Sequence, residues 1–230
     1  MNRERLNIPA VLGRVPLFRE FSPELLLQIA VTTQLRRLAK GEILFHNDDV
    51  PKGFFVVVFG QIKEAVRSAH GDEKIIEIVG PNQSFGETAM LLDRPYPFFA
   101  ESLQDTLLIY IAKGIVSDLL ETDVSFAKRM LAGLSMRVHS LVNDIESYTL
   151  QTPEQRFIGY LIQNGRQEEH GDIYLKISLP AAKRAIASRL GMTPETFSRV
   201  LGAFVEAGLI DVQGRHLSIP DLNRLKEFVL

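Results

Sequence analysis

Residues 183–204, KRAIASRLGMTPETFSRVLGAF, narrow the fold more than any other stretch of the chain. Ile186, Ala187 and Leu190 give a first helix an apolar side, Gly191 supplies a residue that turns readily with positive φ, and Met192 plugs the corner. Thr193 then caps a second helix, Pro194 suits its first position because that N–H would have no intrahelical partner, and Phe197, Val200, Leu201 and Phe204 recur at helical spacing. Two short helices on a glycine corner make a helix-turn-helix when the second keeps a polar outer face. That face holds Glu195, Ser198, Arg199 and Gly202. An arginine can donate twice to guanine O6 and N7, a glutamate can accept from cytosine N4, a serine can bond several bases or a phosphate, and a glycine leaves room for close approach. Glu195, Ser198 and Arg199 are therefore the candidates for base readout on double-stranded DNA. The competing reading is an ordinary helical hairpin with a solvated face.

The flanks favour the first reading. After the second helix Gly208 ends the turn, Leu209 to Val212 suit a strand, Gln213 and Gly214 a tight turn, and Arg215 to Ile219 a returning strand, which together make a wing. Lys183, Arg189 and Arg215 are the candidates for phosphate contact, and Arg184 and Arg199 add local positive charge. The formal net charge of −2 does not oppose this, because phosphate contact depends on local charge.

The period of the apolar residues changes along the chain. Ser22 and Pro23 open a helix after an extended LGRVPLF segment. From Leu38 to about Ile111, apolar runs such as FFVVVF and IIEIV alternate with turn signals at Lys40-Gly41, Asn47-Asp48-Asp49, Gly60, His70-Gly71-Asp72 and Gly80-Pro81-Asn82, as in a β-sandwich, barrel or jelly roll. Val124, Ala127, Leu131, Leu134, Val138, Leu141, Ile145 and Tyr148 then alternate spacings of three and four. Such a heptad seam predicts a long helix paired with the same helix of a second copy, the alternative being a helix packed on its own domain. Gln151 to Pro153 read as a hinge.

At 230 residues the chain is long enough for about two domains. The charged start MNRERLNIP is followed by no signal-peptide core and no run suits a membrane span, so the cytoplasm is the expected compartment. The absence of cysteine excludes disulfides, cysteine nucleophiles and cysteine-held zinc or iron–sulfur centres. No P-loop, nucleophile elbow or metal-ligand spacing is present, and no enzyme activity is expected.

A β-roll, a long helix and a winged helix-turn-helix in this order resemble the CRP/FNR superfamily of bacterial transcription regulators over nearly the whole chain. Phe85-Gly86-Glu87-Thr88-Ala89-Met90-Leu91 is similar to the FGE turn and short helix of that family's sensor domain, and Glu195-Thr196-Phe197-Ser198-Arg199 to the recognition helix of its FNR branch. The resemblance implies an α+β fold: a cyclic-nucleotide-binding-type β-roll (jelly roll) in residues 1–117, a dimerisation helix in 118–150 and a C-terminal winged helix-turn-helix in 151–230. It also implies a homodimer reading a TTGAT inverted repeat, RNA polymerase as a partner, and a small-molecule or gas effector.

The effector pocket implied by the resemblance comprises Phe85, Gly86, Glu87, Met90, Leu91, Tyr96, Pro97, Phe98, Phe99, Leu141 and Val142. Where the cyclic-nucleotide branch holds the phosphate with an arginine and a serine or threonine, this chain has Pro97 and Phe98, which supply neither cation nor donor. The adenine-facing polar pair of that branch is replaced by Leu141 and Val142. Cyclic AMP is therefore not expected to bind, and without cysteines neither is an iron–sulfur cluster. The chain resembles more closely the DNR-type regulators of denitrification, through Pro194 to Arg199, Gly214 to Ile219, and Arg137, His139, Ile145 and Glu146. That likeness implies haem with nitric oxide as a possible effector, and the aromatic pocket edge suits a haem or another hydrophobic ligand. The same aromatics can equally be core. Among the histidines, His46, His70, His170 and His216 fall in turns, a polar loop and the wing, which leaves His139 on the long helix as the candidate haem ligand. The rival function is a ligand-binding β-roll that regulates a partner protein, and within the family a regulator binding another small ligand.

Overall fold

In the computed structural model, which describes residues 6–19, 21–168, 174–179 and 182–228, three short helical elements precede the sheets: α1 (Ile8–Leu12), a 3-10 turn (Pro16–Phe18) and α2 (Pro23–Thr32). The LGRVPLF segment, expected to be extended, is instead bent by that turn. An extended chain would send Leu17 and Phe18 to opposite sides, and both are buried with Leu12 and Val15 in one cluster. The Ser22 hydroxyl caps α2 by accepting from the Leu25 N–H at 3.3 Å.

Eight strands follow: β1 (Gln34–Leu38), β2 (Ile43–Phe45), β3 (Gly53–Phe59), β4 (Ile62–Arg67), β5 (Glu73–Val79), β6 (Ser84–Phe85), β7 (Phe99–Ser102) and β8 (Thr106–Ala112), with α3 (Glu87–Leu92) between β6 and β7. They form two antiparallel four-stranded sheets, β1-β8-β3-β6 and β2-β7-β4-β5, the β-roll expected from the regular turn signals. The run Phe54-Phe55-Val56-Val57 shows why β3 has no polar alternation. Phe54 and Val56 join the cluster under the helices, Phe55 and Val57 join the cluster between the sheets, and both faces are buried.

Next come α4 (Lys113–Thr122) and α5 (Val124–Leu150). The long helix thus begins at Val124, where the Asp123 carboxylate accepts from the Phe126 N–H at 2.9 Å, and residues 118–122 belong to α4. Phe126 and Met130 are buried against the roll and Leu134 packs on the same cluster. The Phe126 ring lies 6.1 Å from Phe18 and 5.6 Å from Phe21. One turn beyond Leu134, Arg137 donates to Glu64 on β4 at 3.1 Å and to Glu77 on β5. Glu64 sits at a register shift between β4 and β5, a bulge that re-aims the strand's side chains.

The chain divides into two compact units, Met1–Ser140 and Leu141–Leu230, with α5 running through the division. In the second unit α6 (Pro153–Asn164) opens on a capping box between Thr152 and Gln155. It is followed by β9 (Arg166–Glu168), β10 (Tyr174–Ser178), α7 (Lys183–Arg189), α8 (Pro194–Glu206), β11 (Asp211–Gln213), β12 (His216–Ile219) and α9 (Leu222–Glu227). Phe157, Phe197 and Phe204 form its ring core, with centroids 5.0 and 5.9 Å from Phe157. The wing is the β11-β12 hairpin, turned at Gly214 and Arg215 rather than at Gln213 and Gly214. Its sheet continues into β10 and β9, strands that the apolar pattern did not reveal. Strand β9 ends just before the polar loop expected around His170, and residues 169–171, with His170, lie outside the described residues. Among the described residues no helix is long and apolar enough to cross a membrane.

The tie between Arg137 and the sheet has a pH signature. Burial pushes the Glu64 carboxyl up to about 8, outweighing the pull of the Arg137 guanidinium beside it. The folded chain therefore keeps a proton that the unfolded chain releases near the ordinary carboxylate value, so this group's contribution is complete at acid pH and is lost as pH rises through about 8. In urea titrations at about pH 5.5 and about pH 8.5, the stability of Glu64→Gln relative to the native chain should shift in the variant's favour at the higher pH. An identical difference at both pH values would contradict this.

Candidate DNA-reading face and sensor pocket

Helix α7 buries Ala185, Ile186 and Ala187, and the corner that follows is made by Gly191 at φ +65° with Met192 buried beneath it. A side chain at Gly191 would be strained in that left-handed conformation. The Thr193 hydroxyl accepts from the Thr196 N–H at 3.1 Å and starts α8, whose inner face buries Phe197, Val200, Leu201 and Phe204. Glu195, Ser198 and Arg199 are all exposed on its outer face. Hydrogen bonds from its own backbone N–H and from Thr193 hold the Glu195 carboxyl below the usual value, so it is an ionised acceptor at neutral pH. A Cβ built on Gly202 meets nothing within 4 Å. The fold therefore does not require glycine there, although glycine inside a helix costs about 0.5–1 kcal/mol relative to alanine. Close approach of a DNA backbone would account for it.

Lys183 and Arg184 at the start of α7, and Arg215 at the wing tip, are exposed and available to phosphates. Arg189 is not. Its guanidinium pairs with Asp144 at 2.8 Å and donates to the Tyr148 hydroxyl at 2.7 Å, which removes it from the outer surface. The sequence placed Arg189 among the phosphate contacts because charge near the motif was visible and its partners, more than forty positions earlier, were not.

The expected effector-pocket residues separate into different surroundings. Phe85 and Tyr96 are buried between the sheets, where Phe98 packs with them, alongside Phe45, Phe55 and Tyr110, which the sequence did not single out. Phe45 stacks on Tyr96 at 3.7 Å and Phe55 lies 5.4 Å from Phe85. Met90 and Leu91 belong instead to the cluster under the N-terminal helices. Phe99 is buried beneath two cations, Lys63 and Arg67, at 5.5 and 4.9 Å from its ring centre. Pro97, Leu141 and Val142 are exposed. The single aromatic edge read from the sequence is thus largely core, divided because α3 and the strands send neighbouring residues to opposite faces.

A polar centre remains. Gly86, at φ +86°, turns the chain into α3, and Glu87 places its Oε2 in a buried position without a hydrogen-bond partner, while Oε1 accepts from the Ser84 hydroxyl at 3.1 Å. Burial raises the Glu87 carboxyl above its ordinary value against the hydrogen bonds it accepts and the charge of Arg137. Glu64, Glu87 and Arg137 interact electrostatically, a constellation that the sequence concealed because its members lie on β4, α3 and α5. As an axial-ligand set the described residues do not fit a haem: His46, His70, His139 and His216 are exposed, and the ring cluster holds no imidazole. Groups of three or more metal-ligating side chains are absent among the described residues.

Two family models match the chain: "Cyclic nucleotide-binding domain" over residues 35–123 and "Crp-like helix-turn-helix domain" over residues 155–228. The anaerobic regulatory protein of Haemophilus influenzae is 28% identical over 191 residues, covering 83% of this chain and 74% of that protein. The crystal structure of DNR from Pseudomonas aeruginosa is 28% identical, with 99% of this chain and 100% of that one covered and a TM-score of 0.52. FixK2 from Bradyrhizobium japonicum, at 21% identity, covers 86% of this chain and 98% of its own with a TM-score of 0.76, and shares the fold. With the β-roll, the long helix and the exposed polar face of α8 in place, the chain belongs to the CRP/FNR superfamily of DNA-binding transcription regulators, and is not an enzyme.

Proposed function

We propose that the protein acts as an effector-gated homodimer that reads an FNR-like TTGAT inverted repeat. Residues 1–117 sense, 118–150 dimerise and transmit, and 151–230 read DNA, with the long helix itself beginning at Val124. The observation that carries dimerisation is the row Val124, Leu131, Val138 and Ile145, spaced by seven and 70, 65, 61 and 66% exposed. Four large apolar side chains in line on a helix already packed elsewhere suit the a positions of a parallel pair, and three of the four are β-branched, as two-stranded coiled coils favour. Two predicted seam residues have partners within the chain: Leu134 on its own core and Tyr148 on Arg189. A symmetric pair places two reading helices about 34 Å apart, one turn of DNA.

On each half-site Arg199 and Glu195 set base choice, Ser198 adds a further contact, and Lys183 and Arg215 hold phosphates. Regulation of transcription brings RNA polymerase as a partner and places the work in the cytoplasm. The effector is uncharged or largely apolar, because Pro97 and Phe98 offer nothing to a phosphodiester and the interior of the roll is filled with aromatic rings. Haem carrying nitric oxide is the specific effector that the resemblance to the DNR-type regulators implies, but His139, the histidine of α5, is exposed and outside the ring cluster, so it does not serve as a ligand in this arrangement. Haem would need an opening among the stacked rings.

Arg199→Ala should weaken binding to a TTGAT inverted-repeat duplex by about 1–3 kcal/mol while leaving random-sequence affinity much less changed. Equal losses on both DNAs in titrations at matched salt would remove Arg199 from base readout. For the effector, the visible spectrum is followed through addition of haemin and then nitric oxide, with DNA binding measured in parallel. A stoichiometric Soret band, and DNA binding that requires nitric oxide, is the expected result for a haem sensor. No specific uptake would leave the regulator with another apolar ligand.

A further inference from the structure

The end of α7 is held to the end of α5 by one polar cluster. Asp144 and Tyr148 lie one turn apart on α5, and both reach Arg189, the last residue of α7. The Arg189 guanidinium donates through Nη2 to Asp144 at 2.8 Å and through Nη1 to the Tyr148 hydroxyl at 2.7 Å. The same hydroxyl donates to the Arg189 carbonyl at 2.5 Å. Side chain and main chain of one residue are thus fixed by two neighbouring side chains. The Arg156 guanidinium, from α6, lies 5.9 Å from the Tyr148 ring centre and closes the cluster. Both partners of the ion pair are mostly withdrawn from solvent, with side-chain exposures of 15% for Arg189 and 24% for Asp144.

Position gives this cluster a consequence for reading. Arg189 stands directly before the Leu190, Gly191 and Met192 corner that launches α8, so a rotation of α7 on α5 is carried straight into the helix that bears Glu195, Ser198 and Arg199. The contact consists of directional charge-assisted bonds, which fix one orientation closely but release it once one partner is satisfied elsewhere. Apolar packing tolerates small rotations; a guanidinium pinned at two nitrogens does not. We propose that Asp144, Tyr148 and Arg189 form an orienting lock that sets α7 and α8 on the last turns of α5, and that Arg189 serves DNA reading as a positioning residue from within this lock rather than as a phosphate contact.

The test uses the full chain and a TTGAT inverted-repeat duplex, titrated across salt concentrations. Variants are Asp144→Asn, Tyr148→Phe, Arg189→Gln, Arg189→Lys and the Asp144→Asn/Arg189→Gln pair, with urea midpoints recorded for each. The lock predicts that Asp144→Asn and Arg189→Gln each lower cognate affinity by about tenfold, that the double variant is no worse than either single, and that the salt slope is unchanged. Arg189→Lys, which keeps the charge but not the two-pronged geometry, should fail to restore affinity. Loss of about one unit of slope per protomer in Arg189→Gln, with lysine restoring it and Asp144→Asn neutral, would establish a phosphate contact and overturn the proposal. Lower urea midpoints with unchanged cognate affinity would reduce the cluster to a stability element and equally overturn it. Tyr148→Phe removes a single hydroxyl, so it keeps the test decisive if the charge variants fold poorly, and it should reduce cognate affinity in the same direction.

Discussion

Helix α5 has more apolar surface than its own β-roll can cover, and the rest of the molecule follows from how that surface is divided. Phe126, Met130 and Leu134 descend one side of the helix into the cluster that also holds Phe18, Phe21 and Phe54. Full burial of such side chains contributes about 1.5–3 kcal/mol each, enough to fix the first turns of the helix on the sensor. Val124, Leu131, Val138 and Ile145 descend another side and remain in solvent. In the proposed homodimer, a helix so divided is a rigid element between its own sensor and a second copy. A change in how it sits on one is felt by the other.

The contacts that continue beyond the apolar stretch are polar. Arg137 ends the packing row on Glu64 and Glu77, and Asp144 and Tyr148 then hold Arg189. Buried ion pairs contribute little net stability, since removing the charges from water offsets most of their attraction, but breaking one leaves an uncompensated charge. They suit a regulator for that reason, because they define an arrangement without making it permanent. Around Arg137 the chain concentrates carboxyls, and the raised proton affinities of Glu64 and Glu87 show that burial prevails over the single guanidinium. Protonated carboxyls carry no charge, so the proposed preference against an anionic effector rests on the aromatic filling of the roll and on Pro97 and Phe98.

Local chemistry was legible in the sequence and distant pairing was not. The caps at Ser22 and Thr193, the corner at Gly191 and the inner face of α8 could be read because each depends on residues within four positions of one another. The strands of the roll were legible from their turn signals. The aromatic edge from Phe85 to Phe99 stayed open between pocket and core because no period distinguishes a core with two buried sides from a pocket wall, and consecutive apolar residues in β3 and α3 face different clusters. Arg189 looked like a phosphate contact because basic charge beside a reading helix is the common case, and nothing local to it announces Asp144 or Tyr148. Strands β9 and β10 escaped notice because three and five residues of mixed character carry little period.

The division of α5 between two partners can be tested with a single thiol, since the chain has no cysteine of its own. Val138→Cys places that thiol in the outward row, and Met136→Cys places one at a comparably exposed site on a different face of the same helix. In a parallel pair the two residues at an a position lie close enough for a disulfide. The account predicts that mild oxidation links Val138→Cys into a covalent dimer that still binds the inverted-repeat duplex, while Met136→Cys stays unlinked. Equal crosslinking of the two variants, or none at position 138, would contradict it.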